Sequence, residues 1–269
     1  MEYVGVGTWN SVNNFVCFGT NTTPCPTDNL YRIIGVFGDK VKLIKSDYAT
    51  TALLGADGDY SKMYTANNWD NSAYKGNNLA NVAAYNWNKT GQNTWSLSNL
   101  NKTNLNQNFI TNIGADWAAK IDDTTWKVGG NTYDKIRDAV PSVAYQNEIV
   151  SPVTTNSQDN ATELKAKIGL MYASDYGFAA APSAWTANLN TYNGEAIKNV
   201  NWMYMGLVEW TISRNADNSY NAFLVYSAGG VLSSSVGGNA VAVRPVFSLT
   251  SSVNYVSGSG TAADPISIN

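Results

Sequence analysis

Apolar positions alternate most cleanly between Asn29 and Tyr48. There Tyr31-Arg32-Ile33-Ile34-Gly35-Val36-Phe37 is followed by Gly38-Asp39 and then by Val41, Leu43 and Ile44. Two β-rich runs meeting at a Gly-Asp pair predict a hairpin. The alternation Lys40-Val41-Lys42-Leu43-Ile44-Lys45 suits a strand with one solvated face. From Ser96 the period changes. Leu100, Leu105, Phe109 and Ile113 recur every four or five positions, which predicts an amphipathic helix capped by Ser96 or Ser98 and stopped by Gly114. A short continuation runs through Trp117 and Ile121, and a third helix is expected over Asn131–Val140, ended by Pro141. Ala144 to Val150 then leads into a polar loop over Ser151 to Thr162. Ala56 to Thr94 has little period and many Asn, Gly, Tyr and Trp residues. A structureless loop of that length is unusual in a compact domain, so a partly ordered insertion pinned by its aromatics is expected.

The C-terminal half reads as strands over Lys167–Ala181, Met203–Ile212, Asn221–Tyr226 and Val241–Leu249. Pro245 pushes the last of these to an edge or a bulge, and the tail SGSGTAADPISIN gives a Gly-rich turn and a short closing strand. A hairpin, then helices, then irregular strands predicts an α+β architecture rather than βαβ units. No internal repeat or linker divides the 269 residues, so one domain is expected, with residues 1–28 as an N-terminal extension.

Composition narrows the chemistry. Charged residues are 14% of the chain, against about 25% in ordinary globular proteins; Asn, Thr and Ser fill the gap, which predicts a polar but uncharged surface. Net charge is −3, and with Lys and Arg scattered there is no electrostatic footprint for nucleic acid. Cys17 and Cys25 are the only cysteines and flank a loop stiffened by Pro24 and Pro26. A local disulfide formed in an oxidising compartment is expected from that spacing. There is no histidine, so a zinc site lacks ligands and a Ser-His-Asp or Cys-His nucleophile lacks its base. Asp57-x-Asp59 sits in a Gly-rich turn that offers hard oxygen ligands, but it lacks the remaining positions of an EF-hand. No metal or cofactor is expected. A paired-carboxylate glycosidase needs only two acids at the right separation, for which Glu148, Asp175 and Glu209 are the candidates. No apolar window is long enough for a membrane span, and no basic, apolar leader is visible. Membrane attachment is therefore expected only through an N-terminal anchor preceding Met1.

Between Asn201 and Leu249 the chain reads NWMYMGLVEWTISR, a Gly/Ser-rich stretch that looks loose, and AVRPVFSL. Gly206-Leu207-Val208-Glu209-Trp210-Thr211 and Ala242-Val243-Arg244-Pro245-Val246 resemble two landmarks of the C-type-lectin-like fold in its formylglycine-generating-enzyme branch. YRIIGVF, KIGLMYASDYGFA, EWTISR, AVRPVFSL and GSGTAADPI are similar to stretches in Asn-rich surface or pilin-like proteins of gut Firmicutes and their phages. The resemblance implies irregular antiparallel sheets, an N-terminal β-hairpin and two or three helices. Its enzymatic branches work through a cysteine near the C-terminal part of the domain or a histidine-bound iron; here both cysteines precede residue 30 and histidine is absent. Some proteins of this fold have a C-terminal segment rewritten by diversity-generating retroelements at Asn and Tyr positions. Asn215 to Asn239 would be that segment, although it is rich in Ser and Gly.

The expected function is thus a non-catalytic, secreted or cell-surface adhesin or receptor-like module for a protein or glycan ligand, with residues 201–254 as the binding segment. Alternation in Asn221–Tyr226 places Leu224 and Tyr226 on one face. The expected ligand contacts are Tyr220, Leu224, Tyr226, Val231, Ser234 and Asn239. Trp210, Glu209 and Arg244 read as fold-defining: a buried indole with a partnered N–H, and charges that hold a neighbouring loop. The alternative is a pilin-like subunit that self-assembles into a filament.

Overall fold

The computed structural model describes residues 2–3, 7–9, 11–153 and 162–269. The expected hairpin forms over Leu30–Phe37 and Lys40–Lys45 and turns at Gly38, whose φ of 68° suits glycine. Glu2–Tyr3 and Phe15–Cys17 both pair with Leu30–Phe37, while Val246–Ser248 pairs with the other arm in the register Val246↔Ile44 and Phe247↔Leu43. Residues 15–17, read as part of an extension, therefore belong to this five-stranded antiparallel sheet. The Cys17–Cys25 disulfide is present, with a Cα–Cα distance of 5.9 Å, and closes the loop beyond that strand. The face of Lys40–Lys45 expected to be solvated is not: Lys42 and Lys45 are both buried. Lys45 Nζ donates to Asp28 O across 3.1 Å, and Lys42 is covered by a helix from residues 173–178.

A second sheet contains Val231–Ser235, Asn221–Val225 and Glu209–Arg214, and a third contains Ala240–Val241, Ala83–Asn86 and Tyr60–Met63. The aperiodic segment 56–94 thus supplies two strands, and Tyr64, Tyr85 and Trp87 pin it into the interior. Two ribbons, Thr124–Lys127 with Glu163–Ala166 and Tyr255–Ser257 with Ser267–Ile268, complete the strands. The architecture is mixed α+β with mostly antiparallel sheets. Pro245 lies where the chain leaves one sheet and enters another, and the strand after it occupies an edge.

The helix expected after Ser96 spans Leu100–Phe109 and Ile110–Ile113 and ends at Gly114, with φ 84°. Its first ten residues wind with the wide i→i+5 pattern, which explains the five-residue step from Leu100 to Leu105. Ser98 Oγ accepts from Asn101 N–H, and Asp59 accepts from Leu100 N–H at 2.7 Å. The other carboxylate oxygen of Asp59 accepts from Lys89 N–H at 3.0 Å, so this fully buried acid, half of the supposed calcium pair, ties a loop to a helix start. Asp59→Asn turns one acceptor into a donor facing an N–H. It should cost about 1–3 kcal/mol, read from the urea midpoint by circular dichroism; an unmoved midpoint would remove the capping role.

Two other elements correct the sequence reading. Asn131–Val140 holds only a single turn, Tyr133–Lys135, and Pro141 starts a helix instead of ending one. In the first turn its missing N–H costs nothing; Pro141–Tyr145 continues into Gln146–Val150. Most of the polar loop expected over 151–162 lies outside the described residues. Lys167–Ala181, read as a strand, makes a bridge at Gly169↔Val246, turns into the helix Ala173–Phe178 and bridges again at Ala180↔Asn201. Asp175 Oδ2 accepts from Tyr172 N–H at 2.9 Å, capping that helix. Every residue from 168 to 177 is buried, so no polar face betrays the helical period.

The main core runs from Val12 to Leu249 and contains Trp87, Trp95, Trp126, Trp202 and Trp210. Trp210 Nε1 donates to Tyr85 O at 2.9 Å and Trp87 Nε1 to Thr211 O at 3.0 Å, stitching the second and third sheets together. Asparagine, expected to enrich the surface, is a structural residue inside. Asn93 Nδ2 donates to three carbonyls, those of Asn215, Asn218 and Asn221, and Asn104 binds Leu54 O and Asp59 N–H. A neutral amide satisfies buried backbone without the desolvation cost of a charge.

Candidate functional site

The segment between the two landmarks is closed, not loose. Asn221–Val225 pairs residue by residue with Val231–Ser235, from Asn221↔Ser235 to Val225↔Val231. Residues 222–225 are all buried, so both faces of this strand are covered. Leu224 is 2% exposed against Trp210, its partner on the neighbouring strand, and Val231 is 0% exposed. Neither can touch a ligand, and Leu224 and Tyr226 do not share an open face. Tyr220 is exposed, but it lies six residues from Tyr226, roughly 20 Å along an extended chain. Ser234 is half-buried opposite Ala222 and accepts from Asn239 Nδ2 at 2.7 Å.

Tyr226 and Asn239 do converge, and Trp69 is what joins them. The Trp69 and Tyr226 rings meet edge to face, with centroids 6.0 Å apart. Trp69 also walls a surface groove of about 450 Å³ that Asn239 borders. Asn67, Asn68, Asn86 and Lys62 line the same groove. Local structure explains the convergence. Ala240–Val241 pairs with Asn86 and Tyr85, which brings the end of the hairpin beside the strand Tyr60–Met63 and the turn that follows it. Asn86 Nδ2 donates to Gly237 O and Asn239 O at 2.9 and 3.0 Å, fixing the Gly237-Gly238 turn. A Cβ on Gly237 would lie 2.9 Å from the Gly91 backbone, so that turn requires glycine. Asn67 Nδ2 is a buried donor with no partner among the described residues, the kind of group that gains from an incoming acceptor.

The landmarks behave as scaffold. Gly206 has φ 86° and passes so close to Ala73 O that a Cβ would fall 1.9 Å from it. Three residues on, Glu209 makes a bidentate pair with Arg244 at 2.7 and 2.8 Å, fully buried. Burial pulls the Arg244 pKa down and the Glu209 charge more than restores it, so the guanidinium stays charged.

The three glycosidase candidates do not form an acid pair in a cleft. Glu148, Asp175 and Glu209 are 1%, 0% and 1% exposed. Glu148 accepts from Ser174 N–H at 2.7 Å and from Ser213 Oγ, and Asp175 is held by Lys42 and the helix it caps. A larger hollow, about 610 Å³, lies between the disulfide loop and residues 256–269. Its indole, Trp117, already has Lys120 Nζ over the ring at 5.5 Å and Phe18 against it.

Of the residues expected as ligand contacts, Asn239 lines the groove and Tyr226 reaches it only through the Trp69 ring; Lys62, Asn67, Asn68, Trp69 and Asn86 were not among them. The run Asn67-Asn68-Trp69 inside the aromatic-rich insertion was the available signal: a large ring flanked by amides in a segment without period. Comparison with known proteins finds no matching family model, no matching curated protein and no matching solved structure.

Proposed function

We propose that this chain is a non-catalytic, extracellular or cell-surface binding module of C-type-lectin-like fold that captures a neutral glycan in the groove beside Trp69. The observation that carries this reading is one half-buried indole set among four asparagine amides, with Lys62 as the charged neighbour. An indole face offers apolar area to the C–H faces of a sugar ring, and amides pair with hydroxyls as both donors and acceptors. A shallow polar groove with one aromatic platform suits a sugar better than an apolar ligand, which needs mostly hydrophobic walls. The disulfide supports an oxidising, extracellular setting. The buried Glu209–Arg244 pair, sitting on the two motifs that resemble C-type-lectin-like landmarks, supports the fold assignment.

The test is an array of neutral glycans probed with the labelled chain. Trp69→Ala should lower the affinity for the bound glycan by ~10-fold or more, a loss of ~1.4 kcal/mol. Asn68→Ala removes an exposed amide and should weaken binding less, with the melting temperature unchanged. Wild-type protein that binds no glycan, or a Trp69→Ala variant that binds as well as wild type, overturns the reading.

A further inference from the structure

We propose that Lys42 and Asp175 are a self-crosslinking pair, joined through Nζ and Cγ by an intramolecular amide bond that the folded chain forms with loss of one water. The two residues are 133 positions apart, one on the strand Lys40–Lys45 and the other on the helix Ala173–Phe178. Nζ lies 2.5 Å from Oδ2, and the side chains are 8% and 0% exposed. Among the described residues this is the one amine–carboxyl pair removed from water. The other lysine pairs, Lys40–Asp122, Lys127–Glu163, Lys135–Asp134 and Lys198–Glu195, each keep an exposed partner. The buried Arg244–Glu209 pair has a guanidinium, which stays protonated and is no nucleophile.

The surroundings shut water away from the pair. Nζ is walled by the rings of Tyr172, Phe37 and Trp126, at 4.7, 5.1 and 5.7 Å from their centroids. An enclosed site without bulk solvent favours loss of water and leaves no solvent nucleophile to reverse the step. The amine lone pair attacks Cγ, a C–N bond forms, and one carboxyl oxygen leaves as water carrying the proton shed by nitrogen. Ammonium plus carboxylate thus becomes amide plus water, with no oxidant, cofactor or external reagent. Tyr172 N–H, at 2.9 Å, and Tyr3 O–H, at 3.3 Å, already donate to the carboxyl and are placed to hold charge developing on oxygen. Proximity supplies the rest, since both groups are fixed by elements packed together.

Glu148 acts here as a positioning residue. It accepts from the N–H of Ser174, the residue before Asp175, and burial pushes its pKa up to about 7. The charge of Asp175 adds a smaller push in the same direction to Glu148.

Intact-mass measurement of the purified, disulfide-bonded chain decides the matter. The expected mass is that of the sequence less one water, beyond the hydrogens lost to the disulfide. Trypsin should fail to cut after Lys42, and a branched peptide should join Lys42 to the segment holding Asp175. Lys42→Ala and Asp175→Ala should show full mass. Glu148→Gln should give folded protein, by circular dichroism, that is mainly at full mass; a purely structural role for Glu148 would weaken the fold and leave the crosslink in place. Wild-type chain at full mass, with normal cleavage after Lys42, would show a buried salt bridge only and overturn the proposal, whether or not any variant folds.

Discussion

Glu209→Ala should lower the unfolding free energy by about 3–5 kcal/mol, the cost of leaving a buried charge without its partner. Arg244 is 1% exposed, and its Nε and Nη2 both rely on Glu209. Its remaining contacts are the carbonyl of Met203 at 2.8 Å and the Tyr48 ring at 5.5 Å; Nη1 has no partner among the described residues. Removing the carboxylate therefore strands a guanidinium with only the more distant Asp47 charge to offset it. The same pair spans the junction where Trp210 N–H meets Ala242 O, so its loss loosens the base of the hairpin and the strand that borders the groove. Urea denaturation followed by tryptophan fluorescence gives the number. Adding Arg244→Met to Glu209→Ala should recover part of the loss, because an apolar pair is cheaper to bury than one orphaned charge. A single-variant cost below about 1 kcal/mol would refute the anchoring role.

The sequence features that proved informative are those whose cause is local. Gly38-Asp39 needs only a turn between alternating runs, and Gly114 needs only an end to an apolar period; both stand where expected. Cys17 and Cys25 are close in sequence, so their pairing follows from the loop alone. Trp210 and Arg244 were readable as interior residues because an indole and a guanidinium, each flanked by apolar positions, must find partners inside. The misread elements depend on neighbours. Ala173 to Gly177 are buried on every side of their helix, and the helical period vanishes with its polar face. Lys42 looks solvated on a strand until the helix that holds Asp175, 133 positions away, covers it. The groove is the extreme case, because residues 62–69 meet 237–240 only through the register of Ala83–Asn86 with Ala240–Val241. Asparagine misled in the opposite sense: abundance suggested surface, whereas many of these amides brace buried backbone.

Stability should fall as the solution is taken from pH 5 to pH 8, on the order of 3 kcal/mol, through Glu148 alone. Burial is the main cause that raises its pKa from an ordinary 4.5 to about 7, opposed by the Ser174 and Ser213 hydrogen bonds. Between those values the folded chain keeps a proton that the unfolded chain has released. That proton stabilises the fold fully below pH 4.5, and the benefit is lost as pH rises through 7; a shift of this size is worth roughly 1.4 kcal/mol per pH unit. Denaturation midpoints at half-unit steps should show the decline for wild type and a flat profile for Glu148→Gln, whose amide carries no titrating proton. The comparison is of slopes, so it holds whether or not the Lys42–Asp175 amide has formed: an amide removes only the smaller push of the Asp175 charge, and burial, the largest cause, keeps the tilt. A wild-type profile as flat as that of Glu148→Gln would mean that Glu148 is solvated or paired in a way its enclosure by Ser174 and Ser213 does not allow.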